Sequence, residues 1–523
     1  MNRRTFLQTA SLGTAAAAGP ALAAAALSPS DAKRPNIILI MADDMGYSDL
    51  GCFGSEIHTP NLDRLATGGM RLTQFYNTAR CCPTRASLLT GLYPHQAGIG
   101  HMVNPRPIPA YQGYLNDRCS TLAEVLRGAG YKTLMSGKWH VGENRPHWPV
   151  DRGFDHYFGL ISGADNYWKL DPGRKMAIDD KPYTPPAKGF YMTDAIADHA
   201  AGFIDQHGRG EQPFFLYAAF TAPHWPLHAY PEDIAKYQGK YEKGWDALRQ
   251  ERHKRMIEMD IVDKKWPLTE RDSTAPAWES VKDKKALDLA MAVYAAQIDR
   301  LDQGIGKILD KLREVGAEEN TLVMFLSDNG GCAEVVNQGK KGVPPGPVDS
   351  YLSYGLAWAN ASNTPFRLYK HWVHEGGIST PFIAHWPKVI KKTNSFSREV
   401  GHLVDVMATC VDISGAKYPG APIQPMEGKS LLPVFQGKKR PERTLFWEHE
   451  GNRAVRRGKW KLVSRNPGKW ELYDVEADRT EFKDLAAKMP AKVADFDQQY
   501  TAWASRCGVL PFDTLPKAGP LSE

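Results

Sequence analysis

Pro35-Asn36-Ile37-Ile38-Leu39-Ile40-Met41 is a strand-length run, apolar from Ile37 onward, that ends in Ala42-Asp43-Asp44-Met45-Gly46. A run with no polar alternation suits a strand buried on both faces, as in a parallel sheet. Three other runs repeat the arrangement. Residues 131–136 end in Gly137-Lys138-Trp139-His140, residues 213–220 in Thr221-Ala222-Pro223-His224, and residues 321–326 in Ser327-Asp328-Asn329-Gly330-Gly331. Residues 378–385 read as one more strand. Helical patterns lie between them, over residues 60–69, 121–130, 194–207 and 286–315. In the second of these Leu122, Val125, Leu126 and Ala129 share a face and Gly130 is the stop. This alternation predicts an α/β fold, a large and mostly parallel sheet flanked by helices. In open α/β sheets ligands bind beyond the carboxyl ends of the strands. Four separated polar clusters are therefore expected at one edge of one sheet.

Two stretches lack this rhythm. Residues 225–279 are charged and aromatic, and residues 332–363 are rich in Gly, Pro, Ser and Asn. Both read as loops or excursions near the site, where substrate choice is usually made. Beyond about residue 419 the character changes. Residues 453–464 and 470–475 read as antiparallel strands and residues 491–506 as a terminal helix. The predicted organisation is a large α/β domain over 31–418, which carries the polar edge, and a smaller α+β domain with a short antiparallel sheet over 419–523.

Composition narrows the classes. The 523 residues are 42% hydrophobic and 24% charged, which excludes a wholly disordered chain and a multi-span membrane protein. Seven cysteines exclude a disulfide-dense scaffold. The formal charge of +6 includes Arg3 and Arg4, and it is far from the dense basic stripe of a nucleic-acid binder. Those two arginines open Asn2-Arg3-Arg4-Thr5-Phe6-Leu7-Gln8, ahead of an alanine-rich stretch over 12–27. The pattern resembles a twin-arginine export signal, with Ala21-Leu22-Ala23 as a small-x-small cleavage site. Alanine is weakly apolar and Gly19-Pro20 interrupts the run, which disfavours an anchor. Residues 1–30 are thus expected to be a removed signal peptide. The chain would be exported folded by the twin-arginine machinery to the periplasm or cell exterior, with no stable membrane span.

The most specific segment is Cys81-Cys82-Pro83-Thr84-Arg85-Ala86-Ser87-Leu88-Leu89-Thr90-Gly91. It resembles the signature of the formylglycine-dependent sulfatases, of the alkaline phosphatase superfamily: Cys-x-Pro-Ser/Thr-Arg followed by Leu and Thr-Gly. The match has no departures. It implies that Cys81, not Cys82, is oxidised to Cα-formylglycine by a maturation enzyme. A hydrated aldehyde offers one hydroxyl to attack sulfur. Its second hydroxyl, once deprotonated, expels sulfate and restores the aldehyde, so the sulfo-enzyme hemiacetal resolves itself. A helix N-terminus beneath this residue would add dipole stabilisation for an anionic substrate.

Asp43-Asp44 and Asp328-Asn329 are the candidate metal ligands. An oxygen-only set with no His or Cys at zinc spacing selects hard cations, Ca²⁺ first and Mg²⁺ second. The resemblance points the same way and adds the modified Cys81 as a further ligand. It also implies roles for the other clusters. Lys138 supports formylglycine and sulfate, and His140 holds a formylglycine hydroxyl and serves as base. His224, in Pro223-His224-Trp225-Pro226, contacts sulfate. Lys370, closing Asn363-Thr364-Pro365-Phe366-Arg367-Leu368-Tyr369-Lys370, contacts sulfate and the leaving oxygen. Arg85 would neutralise charge beside the formylglycine. Either His224 or Lys370 would protonate the leaving alcohol, and Lys138, Lys370, His224 and the cation would clamp the sulfate oxygens.

The implied activity is hydrolysis of a sulfate monoester, aryl or carbohydrate, in a protein similar to bacterial arylsulfatases. Two other readings stay open: a phosphate or phosphonate ester hydrolase of the same superfamily, and a non-catalytic module that binds sulfated glycans. The cysteine at the modification position argues against the last. Trp148, Tyr157, Trp168, Trp225 and Trp372 are candidates for a sugar or aryl subsite or for core. His58, His95, His101, His228 and His402 belong to no motif, and the remaining cysteines read as free and buried.

Overall fold

The computed structural model describes residues 33–518, so the predicted signal segment lies outside the described residues. Eleven strands form the main sheet: β1 (Asn36–Ala42), β2 (Met70–Tyr76), β3 (Lys132–Gly137), β4 (His156–Leu160), β5 (Met176–Ile178), β6 (Lys181–Pro182), β7 (Phe214–Ala219), β8 (Thr321–Ser327), β9 (Ser379–His385), β10 (Ser395–Ser397) and β11 (Gly401–His402). Their order is β10-β2-β9-β8-β1-β7-β3-β4-β5-β6, with β11 also pairing β2. The centre, β8-β1-β7-β3-β4, is parallel, while β9 runs antiparallel to both β8 and β2.

Strand β1 lies at the middle of the sheet and is buried on both faces. Ile38 and Ile40 enter one hydrophobic layer with helices Met192–His207 and Lys284–Glu314. Ile37, Leu39 and Met41 enter the other, with helices Cys81–Thr90, Leu122–Gly128 and Val404–Ser414. The mostly parallel α/β architecture is as predicted.

Four neighbouring parallel strands carry the four polar clusters to one edge. Backbone pairing continues just past the strand ends: Asp43 N–H donates to Ala222 O (3.0 Å), Asp328 N–H to Ala42 O (3.1 Å) and Lys138 N–H to Ala219 O (2.7 Å). The clusters are therefore pinned by the sheet rather than carried on free loops. Gly137 makes the closest of these approaches possible. Its φ is 122°, and a Cβ there would sit 1.9 Å from Ala219 O.

The structure adds order to two stretches read as irregular and one strand that the sequence did not show. Residues 225–279 contain a 15-residue helix, Gly244–Glu258. Its buried stripe is Trp245, Leu248, Arg249, Arg252 and Met256, with arginines where apolar residues signal a helix. Arg252 is fully buried, 2.6 Å from Asp49 and 2.8 Å from Glu56, so charge faces inward. Residues 332–363 contain helix Leu356–Ser362, anchored by Trp358 between Trp245 and Trp278 at ring distances of 5.3 and 5.8 Å. Strand β2 went unread because Arg71, Thr73 and Gln74 break its apolar run. Arg71 is buried, donating to Cys52 O (3.1 Å) with its guanidinium 3.9 Å over the Phe396 ring.

The C-terminal part forms an antiparallel meander: β12 (Thr444–His449), β13 (Asn452–Arg457), β14 (Trp460–Ser464) and β15 (Glu471–Asp474). Helix Pro490–Cys507 covers one face through Phe496, Tyr500 and Trp503. The other face meets the main sheet, with Trp447 packed edge-on against Tyr76. A fully buried ion cluster crosses the same junction. Glu375 lies 2.9 Å from both Lys461 and Arg479, and Lys461 lies 2.7 Å from Glu481.

Candidate active site

Cys81 is the first residue of helix Cys81–Thr90, whose ten residues are all buried. Thr84 docks this helix on β8, its hydroxyl donating to Asp328 O at 2.6 Å. Arg85, one residue on, ties three strand ends together. Its guanidinium lies 2.8 Å from Asp328 and 3.4 Å from Asp43, and it donates to Lys138 O at 3.1 Å. Lys138 Nζ lies 2.5 Å from the same Asp43 oxygen.

Asp44 stands in left-handed backbone, φ 66°, a strained setting for a non-glycine residue. Its side chain gathers the second half of the site. Asn329 Nδ2 donates to it at 2.7 Å, Lys370 Nζ lies 2.9 Å away and His224 Nε2 3.4 Å away. His224 Nδ1 meets Trp225 O at 2.6 Å; a carbonyl only accepts, so Nδ1 carries the proton and Nε2 faces Lys370 Nζ at 3.4 Å. His140 also has a positive φ, 55°. Its ring nitrogens lie 3.3 and 3.4 Å from Cys82 Sγ, and the Cys81 sulfur lies within the same 4.8 Å group. Gly163 leaves room for this ring, since a Cβ there would lie 2.3 Å from His140 Nε2.

The electrostatics follow from burying opposite charges together. Burial alone raises a carboxyl, but Lys138, His224 and Arg85 more than offset it and hold Asp43 at about 2. Burial, with Asp43 alongside, pushes Asp328 well above the usual carboxylate range. The Cys82 thiol, with Lys138 and His140, holds Cys81 well below an ordinary thiol. Burial pushes His140 down, and Lys138 adds to it.

The acidic floor fits a hard divalent cation. Asp43 Oδ1 and Asn329 Oδ1 are buried with no hydrogen-bond partner, and unpaired buried oxygens of this kind are costly. Two further carboxylates, Asp44 and Asp328, complete an oxygen donor set of the type calcium takes. The nine sequence-predicted site residues outside Cys81 all lie at this edge, eight in two connected groups around Asp43 and Asp44 and His140 against Cys82.

Two neighbours had no sequence signal. Arg80 pairs with Glu334 at 2.9 Å, and Glu334 accepts from Trp225 Nε1 at 2.8 Å and lies 4.0 Å from Lys370. Arg80 stands just outside the signature, and Glu334 sits in irregular chain where no periodicity singles it out. Of the aromatic candidates, Trp225 packs on His224 (4.6 Å), whereas Tyr157 is fully buried and donates to Gly137 O. His228 is structural: Nε2 meets Ser350 O at 2.7 Å and Nδ1 accepts from Tyr167 N. All seven cysteines are free and buried.

The sheet edge thus holds a cluster of cationic and imidazole groups over buried carboxylates, the arrangement of a hydrolase for an anionic ester. The chain belongs to the sulfatase family: the Sulfatase family model matches residues 35–416, and the model described as N-sulphoglucosamine sulphohydrolase, C-terminal, matches residues 366–499. It is 35% identical to an uncharacterized sulfatase of Schizosaccharomyces pombe, covering 92% of this chain and 95% of that one. It is 34% identical to an arylsulfatase of Klebsiella aerogenes, covering 79% and 94%. Among solved structures it is similar to Ps i-CgsB in complex with k-i-k-neocarrahexaose, with a TM-score of 0.70, 26% identity and coverage of 92% and 95%.

Proposed function

We propose that the protein hydrolyses sulfate monoesters, of an aryl alcohol or a carbohydrate, to the alcohol and inorganic sulfate, with Cys81 oxidised to Cα-formylglycine by a maturation enzyme. The observation that carries this reading is the convergence of Cys81, Lys138, His140, His224 and Lys370 on one buried, carboxylate-floored edge. Similarity to an arylsulfatase and, at 29% identity, to an N-acetylgalactosamine-6-sulfatase of Canis lupus familiaris supports both substrate classes.

Asp43, Asp44, Asp328, Asn329 and the modified Cys81 would hold a divalent cation, Ca²⁺ first and Mg²⁺ second, which would supply fixed positive charge to an anionic substrate. Lys138 and Lys370 place two more cations there, and their carboxylate partners hold them in position before substrate arrives. His140, kept neutral by burial, takes the hydroxyl proton of residue 81. His224, with Nδ1 fixed by Trp225 O, presents Nε2 to the leaving oxygen beside Lys370. Arg85 neutralises Asp43 and Asp328 from behind.

Turnover of 4-nitrophenyl sulfate against 4-nitrophenyl phosphate tests the reaction class. Sulfate is expected to be preferred, and a preference for phosphate contradicts the reading. Lys370→Ala is expected to lower kcat for the sulfate by about 10²–10³-fold, as for loss of one transition-state donor. Dialysis against a calcium chelator is expected to lower both turnover and Tm. Added Ca²⁺ is expected to restore both, with about 2.7 kcal/mol of stabilisation at 100 times Kd. A Tm indifferent to chelation contradicts the cation assignment.

No helix among the described residues is long and apolar enough to cross a membrane. We propose that residues 1–30 direct twin-arginine export to the periplasm or cell exterior. N-terminal sequencing of the exported protein checks this, with a start near residue 24–31 expected.

A further inference from the structure

Beside the catalytic edge lies a polar cluster that the chemistry above does not use. Glu450, in the turn between β12 and β13, accepts from His101 Nε2 (2.9 Å) through one oxygen and from His371 Nδ1 (2.8 Å) through the other. Asn452 fixes the His371 tautomer. Its Oδ1 accepts from Asn466 N and its Nδ2 faces His371 Nε2 at 3.3 Å, so Nε2 is the acceptor and Nδ1 carries the proton. His449 is fully buried with neither ring nitrogen partnered, and its Nε2 lies 3.7 Å from Glu450.

The cluster borders the chain segment, Ala79 and Arg80, that leads into Cys81. His371 directly follows Lys370, and its N–H donates to Ala79 O (2.8 Å), one residue before Arg80. Arg80 feels the Glu450 charge, as His449 feels that of Arg80. The side chains are not sealed in: His371, Glu450 and His101 keep 28%, 20% and 14% of their surface exposed. His101 and His371 hold the Glu450 carboxyl well below its ordinary range against the effect of burial, so it is ionised.

We propose that Glu450, positioned by His101 and His371 and flanked by His449, recognises hydroxyl groups of the leaving alcohol and thereby selects a sulfated carbohydrate over an aryl sulfate. The inference rests on the sulfatase reading and deepens it. Each carboxylate oxygen spends one acceptor direction on an imidazole and retains capacity for an O–H donor. An aryl leaving group offers no such donor, and covering an ionised carboxylate with an apolar ring costs free energy. A sugar supplies donors, and a site built to pair with hydroxyls discriminates strongly against a partner lacking them. The same negative charge disfavours a second anionic substituent at that point of the sugar.

The test is the ratio of kcat/KM for galactose 6-sulfate or galactose 4-sulfate to that for 4-nitrophenyl sulfate, in the mature full-length protein. Wild type is expected to turn over at least one sugar sulfate. Glu450→Gln is expected to lower the ratio by about 10–100-fold, mainly through KM. His101→Gln is expected to lower it less. Equal losses on sugar and aryl sulfates, an unchanged ratio, or a wild type that turns over only the aryl sulfate would each overturn the proposal. Absence of activity on every sulfate despite complete conversion of Cys81 would instead sink the sulfatase reading itself.

Discussion

Cys81→Ala is expected to lower kcat for sulfate ester hydrolysis by about 10⁴-fold or more, the scale on which removal of a nucleophile acts. The variant should keep its fold. Cys81 is one small buried side chain at the start of a helix held elsewhere by Thr84 and Arg85. Its far-UV circular dichroism and Tm are therefore expected to stay close to wild type. Cys82→Ala separates the two adjacent thiols. Cys82 touches His140 and Met102, so a loss within about tenfold is expected, the cost of a less well-held imidazole. Equal and complete loss in both variants would contradict the assignment of the reacting position to Cys81.

Glu375→Ala is expected to destabilise the fold by about 3–5 kcal/mol, as when one partner of a buried ion pair is removed. Glu375 pairs with Lys461 and Arg479 and accepts from Tyr76 and Ser379, all at buried positions. Its loss leaves the Arg479 guanidinium without its carboxylate and Lys461 with Glu481 alone. Urea unfolding measures the effect. Lys307→Ala, which removes an exposed pair with Asp198, is expected to show no measurable loss. The pH dependence has a definite sign. Burial would raise the Glu375 carboxyl, but Lys461 and Arg479 hold it well below 4.5 in the folded state. A depressed folded value stabilises fully above the unfolded value, near 4.5, and the contribution shrinks as pH falls below it. Wild type should therefore lose stability in acid more steeply than Glu375→Ala. Parallel acid profiles would contradict the assignment.

Glu375 also shows where the sequence stops being readable. The buried parallel strands β1, β7 and β8 were legible because continuous apolar runs have few other uses, and their polar terminations marked the site edge. Elements that bury charge were not. Arg252 in helix Gly244–Glu258 and Arg71 in β2 stand where apolar residues normally announce an inward face, and their partners Asp49, Glu56 and Cys52 are distant in the chain. The gathering of polar residues at one sheet edge was legible through residue types at strand ends and through the Cys81 segment. The Arg80–Glu334–Trp225 contacts and the His101–Glu450–His371 cluster were not, because each assembles single residues from segments with no shared period or spacing.

In the proposed mechanism, sulfate transfer depends on the oxidation of Cys81. The most direct test is mass spectrometry of the peptide spanning Cys81, from protein purified from its native host. A loss of about 18 Da at Cys81, the change from thiol to aldehyde, with hydration adding the same mass back, is the predicted result. An unmodified Cys81 thiol in enzyme that still releases sulfate would contradict it.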